Sequence, residues 1–296
     1  MKQKVSHGFH VGILIVSIAV LGIVATLIFV FLNSHTSSDK TSERTKWAYD
    51  ENKHEWYVQR GVATSCKDPF TFDVTPIDLS QVIAIGMPGA YRGYSYKPHG
   101  GFRLADTSQG KVDVKLPIDA TLVGLTRYYE GEPATLQYLL TFESDCGIAF
   151  RFDHLYTLTP RFQEIAETTP EPKLNDTSVD PNIAFDRVDF KAGEVVATEV
   201  GFPVQRNYGF DFGVYDYRSR NDISRNDAWA KIHNQYQSQE WYGRCWVGML
   251  PGEDGEIAKD LSLVVINPAR PNIVSDYCDY APYRTADFND GKPTEY

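Results

Sequence analysis

Short runs of alternating hydrophobic and polar residues dominate the chain from Thr64 onward, and Gly, Pro and Asp interrupt them. A period of two, with Val, Ile, Thr, Tyr and Phe at the apolar positions, is typical of strands that bury one face. The clearest runs lie at residues 112–129, 135–144, 147–158, 194–202 and 208–216. The pattern predicts a mostly β domain of antiparallel strands, with a tight turn at residues 191–194 leading into one of them.

Other segments depart from this alternation. Residues 160–167 are predicted to form one or two helical turns, and the Pro- and Asp-rich stretch 168–186 a loop. Asp227–Trp241 begins with a capping residue and is the best helix candidate beyond the N-terminal region. Residues 217–296 are therefore expected to form a C-terminal β extension that includes this helix. Its strands are expected at residues 244–250 and 261–266.

A long uncharged segment lies near the N-terminus, at Val11–Leu32. At roughly 1.5 Å per residue, a helix of this length spans the hydrocarbon core of a bilayer. The run is too long for a usual signal-peptide core, and Asn33–Thr36 offers no small-x-small cleavage site. We therefore predict a transmembrane anchor after a short head, residues 1–10. A juxtamembrane linker, residues 33–63, follows, and within it residues 47–60 are compatible with a short helix.

The net charge limits the partners that the protein can bind, and the length of the chain after the anchor indicates its cellular location. Lys and Arg total 29 against 39 Asp and Glu, a net charge of −10, which argues against a nucleic-acid partner because phosphate binding needs a basic face. Basic residues flank the anchor on both sides, so the positive-inside rule barely decides its direction. The long C-terminal part favours export. We expect a single-pass protein of the cell membrane with an extracytoplasmic C-terminal domain.

The four cysteines are Cys66, Cys146, Cys245 and Cys278, and none forms a CxxC pair. This spacing argues against a four-cysteine zinc site. An even number of cysteines behind an exported anchor favours two disulfides. Of the three pairings, proximity in sequence favours Cys66–Cys146 with Cys245–Cys278. Four buried thiols in a reducing compartment is the alternative.

Common catalytic motifs are absent from the sequence. His54 begins an HE pair that lacks the second histidine of HExxH, and no GxSxG, P-loop or GxGxxG is present. Lys191 lies at a turn, as does the modified lysine of biotinyl and lipoyl carriers, but the residues around it differ from the carrier motifs. A carrier is therefore a minor alternative.

Four segments in order resemble the lysostaphin-like zinc metalloendopeptidases, which cut peptidoglycan cross-links and have a fold of antiparallel β-sheets. They are KPHGGFRL (97–104), GIAFRFDHL (147–155), FKAGEVVATEVG (190–201) and GFDFGVYD (209–216). They stand where the family has H-x-x-x-D, Y-x-H-L, K-x-G-x-x-V/I and H-x-H-F-E. Residues 116–123 stand in place of its A-P-x-D/N-G strand. The resemblance covers roughly residues 80–216 and implies a peptidase-like fold for the β domain that we assign to residues 64–216.

The catalytic residues of that family carry over only in part. His99 matches the first zinc ligand, and His154 matches the histidine that assists catalysis. Arg103 stands in place of the ligand aspartate. Gly209 and Asp211 stand in place of the two histidines of H-x-H. Because a guanidinium does not ligate zinc, we expect no metal, and we predict that an Arg103–Asp211 ion pair fills the zinc position.

Two further carboxylates belong to the candidate site. Asp153 precedes His154 and is a candidate binding or ion-pair residue. Asp106 lies close enough in sequence to replace the missing ligand, so a zinc site of His99, Asp106, His154 and Asp211 stays an alternative.

The sequence thus favours a membrane-anchored cell-envelope protein with a non-catalytic, peptidase-like domain that binds peptidoglycan or an envelope protein. An active zinc-dependent peptidoglycan hydrolase with a rearranged ligand set is one alternative. A structural envelope scaffold is another, because a fold alone does not fix function.

Overall fold

The computed structural model describes residues 44–92, 95–173, 187–263 and 275–278. The predicted head and anchor, Val11–Leu32, lie outside the described residues, as does most of the loop predicted at 168–186. Among the described residues, none of the helices has the length and apolar character needed to cross a membrane.

The elements are named here in chain order. The strands are β1 (Lys46–Asp50), β2 (Glu55–Arg60), β3 (Val82–Gly86), β4 (Ala90–Arg92), β5 (Ser95–Lys97), β6 (Gly100–Leu104), β7 (Lys111–Lys115), β8 (Ala120–Glu130), β9 (Thr135–Glu143), β10 (Ile148–Leu158), β11 (Val188–Phe190), β12 (Val195–Val200), β13 (Gly209–Asp216) and β14 (Ser262–Leu263). The helices are α1 (Pro160–Glu167), α2 (Asp227–Ile232), α3 (Gln237–Glu240) and α4 (Asp254–Asp260).

The main sheet runs in the order β11-β8-β9-β10-β13-β6-β3-β14, and β12 pairs with both β10 and β7. Neighbouring strands in this sheet are antiparallel, except that β14 is parallel to β3. The pairs β1–β2 and β4–β5 form separate hairpins. This architecture confirms the mostly β, antiparallel domain that the alternating pattern predicts.

One face of the main sheet forms the principal core. Phe152 of β10 stacks on Phe212 of β13 with ring centroids 5.3 Å apart, and Phe102 of β6 contacts Phe210 at 5.3 Å. These rings are almost completely buried. Large aromatic side chains at alternate positions of neighbouring strands pack against each other across the sheet. The intervening residues must therefore point to the opposite face.

A second aromatic cluster covers part of that opposite face. Trp229, Trp241 and Tyr242 from the chain after β13 pack with Trp47 of β1 and Tyr217. This cluster gives residues 217–263 a role that the sequence did not indicate. They bury the end of the opposite face at Ala149 and Tyr215.

Several predicted elements need correction. Residues 47–60 do not form a helix but the β1–β2 hairpin, because Asp50 accepts hydrogen bonds from the backbone N–H groups of Asn52 and Lys53 and so stabilises a turn. The residues of β2 alternate between exposed and half-buried over Glu55–Val58, which is a strand pattern.

The C-terminal extension also differs from the prediction. The helix expected at Asp227–Trp241 is divided into α2 and α3, and Asn226 caps α2. The strand expected at residues 244–250 is wrong, because residues 247–249 form a single 3₁₀ turn next to the buried Trp246. Here the described residues form mainly helices and turns, and β14 is the strand they contribute.

Both disulfides predicted from sequence proximity are confirmed. Cys66 is bonded to Cys146, and Cys245 to Cys278. The first joins the segment before β3 to the β9–β10 turn, and the second joins residues 275–278 to the segment after α3.

Candidate functional site

The candidate site lies on the face of β10 and β13 that points away from the phenylalanine core. Asp153 of β10 is directly opposite Asp211 of β13, and Arg151 is opposite Gly213. Because side chains alternate along a strand, Arg151, Asp153 and Asp211 lie on the same face. The site therefore brings two carboxylates together on neighbouring strands.

Asp211 receives three nitrogen partners. The Nε2 atom of His99 is 2.8 Å from Asp211 Oδ2, and the Nε2 atom of His154 is 3.7 Å from the same oxygen. The Nη1 atom of Arg92 is 3.7 Å from Oδ1. The side chains of His99 and Arg92 are less than a tenth exposed, at 8% and 9%, whereas Asp211 and His154 are 21% and 23% exposed. His99 and Arg92 thus form the buried side of the site, and His154 and Asp211 are its more accessible members.

His154 lies where β10 changes partners. Up to Asp153 the strand pairs with β13, and from Leu155 it pairs with β12. At the change His154 has a φ of 61°, in the left-handed region that costs energy for a residue with a side chain. The imidazole Nδ1 lies 3.2 Å from the Tyr128 hydroxyl and 3.5 Å from Glu130 Oε2. This strained backbone directs the ring towards Asp211.

Asp153 is occupied by partners of its own. Arg151 forms an ion pair with Oδ2, while Oδ1 accepts hydrogen bonds from the Tyr128 hydroxyl at 2.5 Å and the His154 backbone N–H at 2.9 Å. Burial alone would raise the pKa of Asp153, but the Arg151 guanidinium, His154 and the Tyr128 hydrogen bond together outweigh burial and keep the pKa below its usual range. Asp153 therefore stays ionised and paired.

The protonation states of His99 and Asp211 follow from their surroundings. Burial lowers the pKa of the His99 imidazole to about 4, so the ring is neutral at neutral pH. Its Nε2–H then donates to Asp211. Burial would raise the pKa of Asp211, yet His99 and the guanidinium of Arg92 outweigh burial and keep the pKa below the ordinary range. The site therefore contains a stable carboxylate held by internal donors.

Two glycines permit the close approach of Arg92 and Asp211. A Cβ atom on Gly86 would meet Arg92 Nη1 at 2.5 Å, and one on Gly101 would meet the Phe210 carbonyl oxygen at 2.7 Å and Asp211 Oδ1 at 3.0 Å. Arg92 Nη2 also donates to the His99 carbonyl oxygen at 2.9 Å. The guanidinium is thus fixed by two contacts.

The predicted Arg103–Asp211 ion pair is wrong. Arg103 is opposite Gly209, two pairs along the β6–β13 register from Asp211, which is opposite Gly101. Its guanidinium bonds to the Asn207 side chain and the Arg206 carbonyl instead. Arg92, which approaches from the β4–β5 hairpin, supplies the guanidinium that the sequence assigned to Arg103.

Asp106 lies outside the site. Its carboxylate pairs with Arg206 at 2.9 Å and lies 3.8 Å from Arg103, and it is half exposed. Of the residues predicted from sequence, the structure brings His99, Asp153, His154 and Asp211 together. It leaves Arg103 and Asp106 at the neighbouring surface.

Four members of the site were missed by sequence reasoning: Arg92, Tyr128, Glu130 and Arg151. A signal existed for Arg151, because in Phe150–Asp153 two polar residues alternate with two phenylalanines on a strand that is buried on both faces. Arg92 gave no signal, because it comes from a short hairpin that belongs to another sheet.

The residues of the site can be compared with what a bound metal ion requires of its ligands. Among the described residues, Asp153, His154 and Asp211 place ligand atoms within 4.8 Å of one another, a spacing compatible with a cation; His99 does not belong to this group. The chemistry is less suitable, because Asp153 is already bonded to Arg151 and Asp211 faces Arg92. Two guanidinium groups oppose a bound cation, so the residues present do not fit a resident zinc.

Comparison with protein-family models, with curated proteins and with solved structures gives no match for this chain.

Proposed function

We propose that the chain is a single-pass, membrane-anchored envelope protein whose exported domain binds peptidoglycan or an envelope protein without cleaving it. The observation that carries this proposal is the neutralisation of both site carboxylates by internal arginines. Arg92 faces Asp211 and Arg151 pairs with Asp153, where a hydrolytic zinc would need free ligands.

Two other observations support the cellular part of the proposal. The uncharged segment Val11–Leu32 has the length of a membrane span. The two disulfides suit an oxidising compartment outside the cytoplasm. The order of the four peptidase-like segments supports descent from a lysostaphin-like peptidase that has lost its metal, as does the meeting of three of them at Asp211, through His99, His154 and Asp211 itself.

The partly exposed side of the site has the composition of a binding surface. His154 and the half-exposed Glu130 offer hydrogen-bonding groups, and the apolar ring of Phe202 contacts the His154 ring with centroids 5.1 Å apart. Such a mixture suits a polar chain with short apolar side groups, such as a cell-wall peptide.

Retention on purified peptidoglycan tests this proposal. The full chain in detergent should sediment with the wall polymer above a heat-denatured control. His154→Ala and Glu130→Gln should each weaken retention by about fivefold, the effect of losing roughly 1 kcal/mol of hydrogen bonding. Glu256→Gln changes an exposed carboxylate of α4 and should have no effect. Equal retention of native and denatured chain would count against wall binding.

An active zinc hydrolase is the second candidate, favoured by the spacing of Asp153, His154 and Asp211. Elemental analysis of the purified chain, before and after dialysis against zinc, distinguishes the two candidates. We expect almost no zinc in either preparation. A stoichiometry near one per chain would overturn the non-catalytic proposal and make wall hydrolysis the next assay.

A further inference from the structure

The hairpin that carries Arg92 needs support from outside the main sheet. β4 and β5 pair only with each other among the described strands, through Ala90–Lys97, Tyr91–Tyr96 and Arg92–Ser95. A two-stranded hairpin is only marginally stable by itself. The position of Arg92 over Asp211 therefore depends on what packs against this hairpin.

Residues 275–278 supply part of that support. The Asp276 backbone N–H donates to the Gly89 carbonyl at 2.7 Å, and the Ser275 hydroxyl donates to the Pro88 carbonyl at 2.5 Å. The ring of Tyr277 lies against Gly89, where a Cβ atom would meet it at 2.5 Å. All three residues contact the turn that leads into β4.

The other strand of the hairpin is held by the same segment and its neighbours. Tyr96 of β5 packs on His233 at 4.0 Å between ring centroids, with Trp229 at 5.8 Å and Tyr277 at 6.3 Å. Asp276 accepts a hydrogen bond from Trp229 Nε1 at 2.6 Å, which ties the segment to α2. Residues 275–278 thus lie between α2 and the hairpin.

A disulfide attaches this segment to the described domain in addition to the main chain. Cys278 is bonded to Cys245, and both cysteines are partly exposed, so a small thiol can reach them. In the other disulfide Cys66 is also partly exposed and Cys146 is buried, and the bond joins the segment before β3 to the β9–β10 turn. The Cys245–Cys278 disulfide is thus the one that lies next to the Arg92 hairpin.

We propose that the Cys245–Cys278 disulfide holds Arg92 over Asp211, and that its reduction by an external dithiol releases the β4–β5 hairpin and frees the Asp211 carboxylate. A thiolate of the dithiol attacks one sulfur and forms a mixed disulfide. The second thiol of the dithiol then displaces the protein sulfur. The protein gains two electrons and two protons as two thiols, and the dithiol becomes a cyclic disulfide. The oxidation state of this disulfide thus determines whether Arg92 covers the Asp211 carboxylate.

The test measures how fast Arg92 reacts with an arginine-selective dicarbonyl, mapped by mass spectrometry on the full chain. In the oxidised protein the Arg92 side chain is 9% exposed and should react slowly. In Cys245→Ser/Cys278→Ser, and in wild type after mild dithiol treatment, its rate should rise about tenfold through local opening. Arg103 and Arg206, at 30% and 72% exposed, are internal references whose rates should not change.

Cys66→Ser/Cys146→Ser is the matched control, since it removes the other disulfide and should leave the Arg92 rate unchanged. If Arg92 stays protected without the Cys245–Cys278 bond while the references react normally, the proposal is wrong. It is equally wrong if both double variants expose Arg92 alike.

A milder variant covers the case in which the double variant does not fold. Ser275→Ala removes the bond to Pro88 but keeps both cysteines, and it should raise the Arg92 rate by a smaller factor; an unchanged rate would contradict the proposal. Because the Arg92 reaction rate is measured without any ligand, a negative result here contradicts the disulfide proposal alone and leaves peptidoglycan binding untouched.

Discussion

Asp211 illustrates how neighbouring side chains can satisfy a largely buried carboxylate. Two imidazole nitrogens and a guanidinium surround it, and His99 is neutral because burial lowers the pKa of its ring to about 4. A buried carboxylate with an internal cation needs no metal for charge balance, whereas removal of that cation leaves an uncompensated charge.

The contrast between Arg92 and Arg103 yields a prediction. Arg92→Ala should lower the free energy of unfolding by roughly 2–4 kcal/mol, because it removes a buried partner of Asp211. Arg103→Ala should cost less than about 1 kcal/mol, because its partners lie at the surface. Urea denaturation of both variants checks this, and the reverse order of the two losses would rule out our assignment.

Sequence reasoning could find only some of these residues. His99, His154 and Asp211 lie in or next to strands whose order and register bring them together, so the order of their segments was informative. Arg92 reaches the site from a hairpin whose position depends on contacts with residues 275–278, almost two hundred residues later. No local pattern encodes such a contact.

At the scale of elements, the close approach of β3 and β6 depends on glycine at position 100, where any side chain would collide with its neighbours. A Cβ atom on Gly100 would meet the Gly86 carbonyl oxygen at 2.2 Å and Trp246 Nε1 at 2.8 Å. The first of these neighbours is backbone, which yields less readily than a flexible side chain. Gly100 follows His99 directly, so displacement of β6 would also move the imidazole.

Gly100→Ala should therefore lower the free energy of unfolding by about 2–3 kcal/mol through overpacking. Gly248→Ala is the matched control, because a Cβ atom there would have no neighbour within 4 Å. Thermal unfolding of both variants tests this. A Gly100→Ala protein as stable as the control would show that β6 can shift without cost.

The elements themselves were predictable where the alternation was long. β8, β9, β10, β12 and β13 follow the alternating runs because one or both of their faces are buried in an unbroken sheet. Residues 47–60 and 244–250 were assigned wrongly. Both are short segments whose conformation depends on aromatic partners distant in sequence.

At the scale of the whole molecule, the second aromatic cluster encloses ionisable groups. Asp276 is buried beside Trp229 and His233, and burial raises the pKa of its carboxyl to about 6. A raised pKa in the folded state favours the protonated form. The contribution of Asp276 to stability is therefore greatest below its unfolded pKa of 3.8 and is lost as the pH rises through about 6.

Asp276→Asn should remove this dependence while keeping an oxygen that accepts the Trp229 hydrogen bond. Relative to wild type, we expect the variant to be more stable by roughly 2–3 kcal/mol near pH 8 and about equally stable near pH 4. Denaturation at both pH values measures the difference. A difference that does not vary with pH would refute the role of this carboxyl.

The β1–β2 hairpin and the chain after β13 interlock across the length of the sequence. Trp56 Nε1 donates to the Ser238 carbonyl, and the Tyr242 hydroxyl donates to the His54 carbonyl, over separations of 182 and 188 residues. During synthesis the hairpin emerges long before these partners exist. Its tryptophans therefore stay without these partners until residues 238–242 have been made, and during that time they are candidates for protection by chaperones.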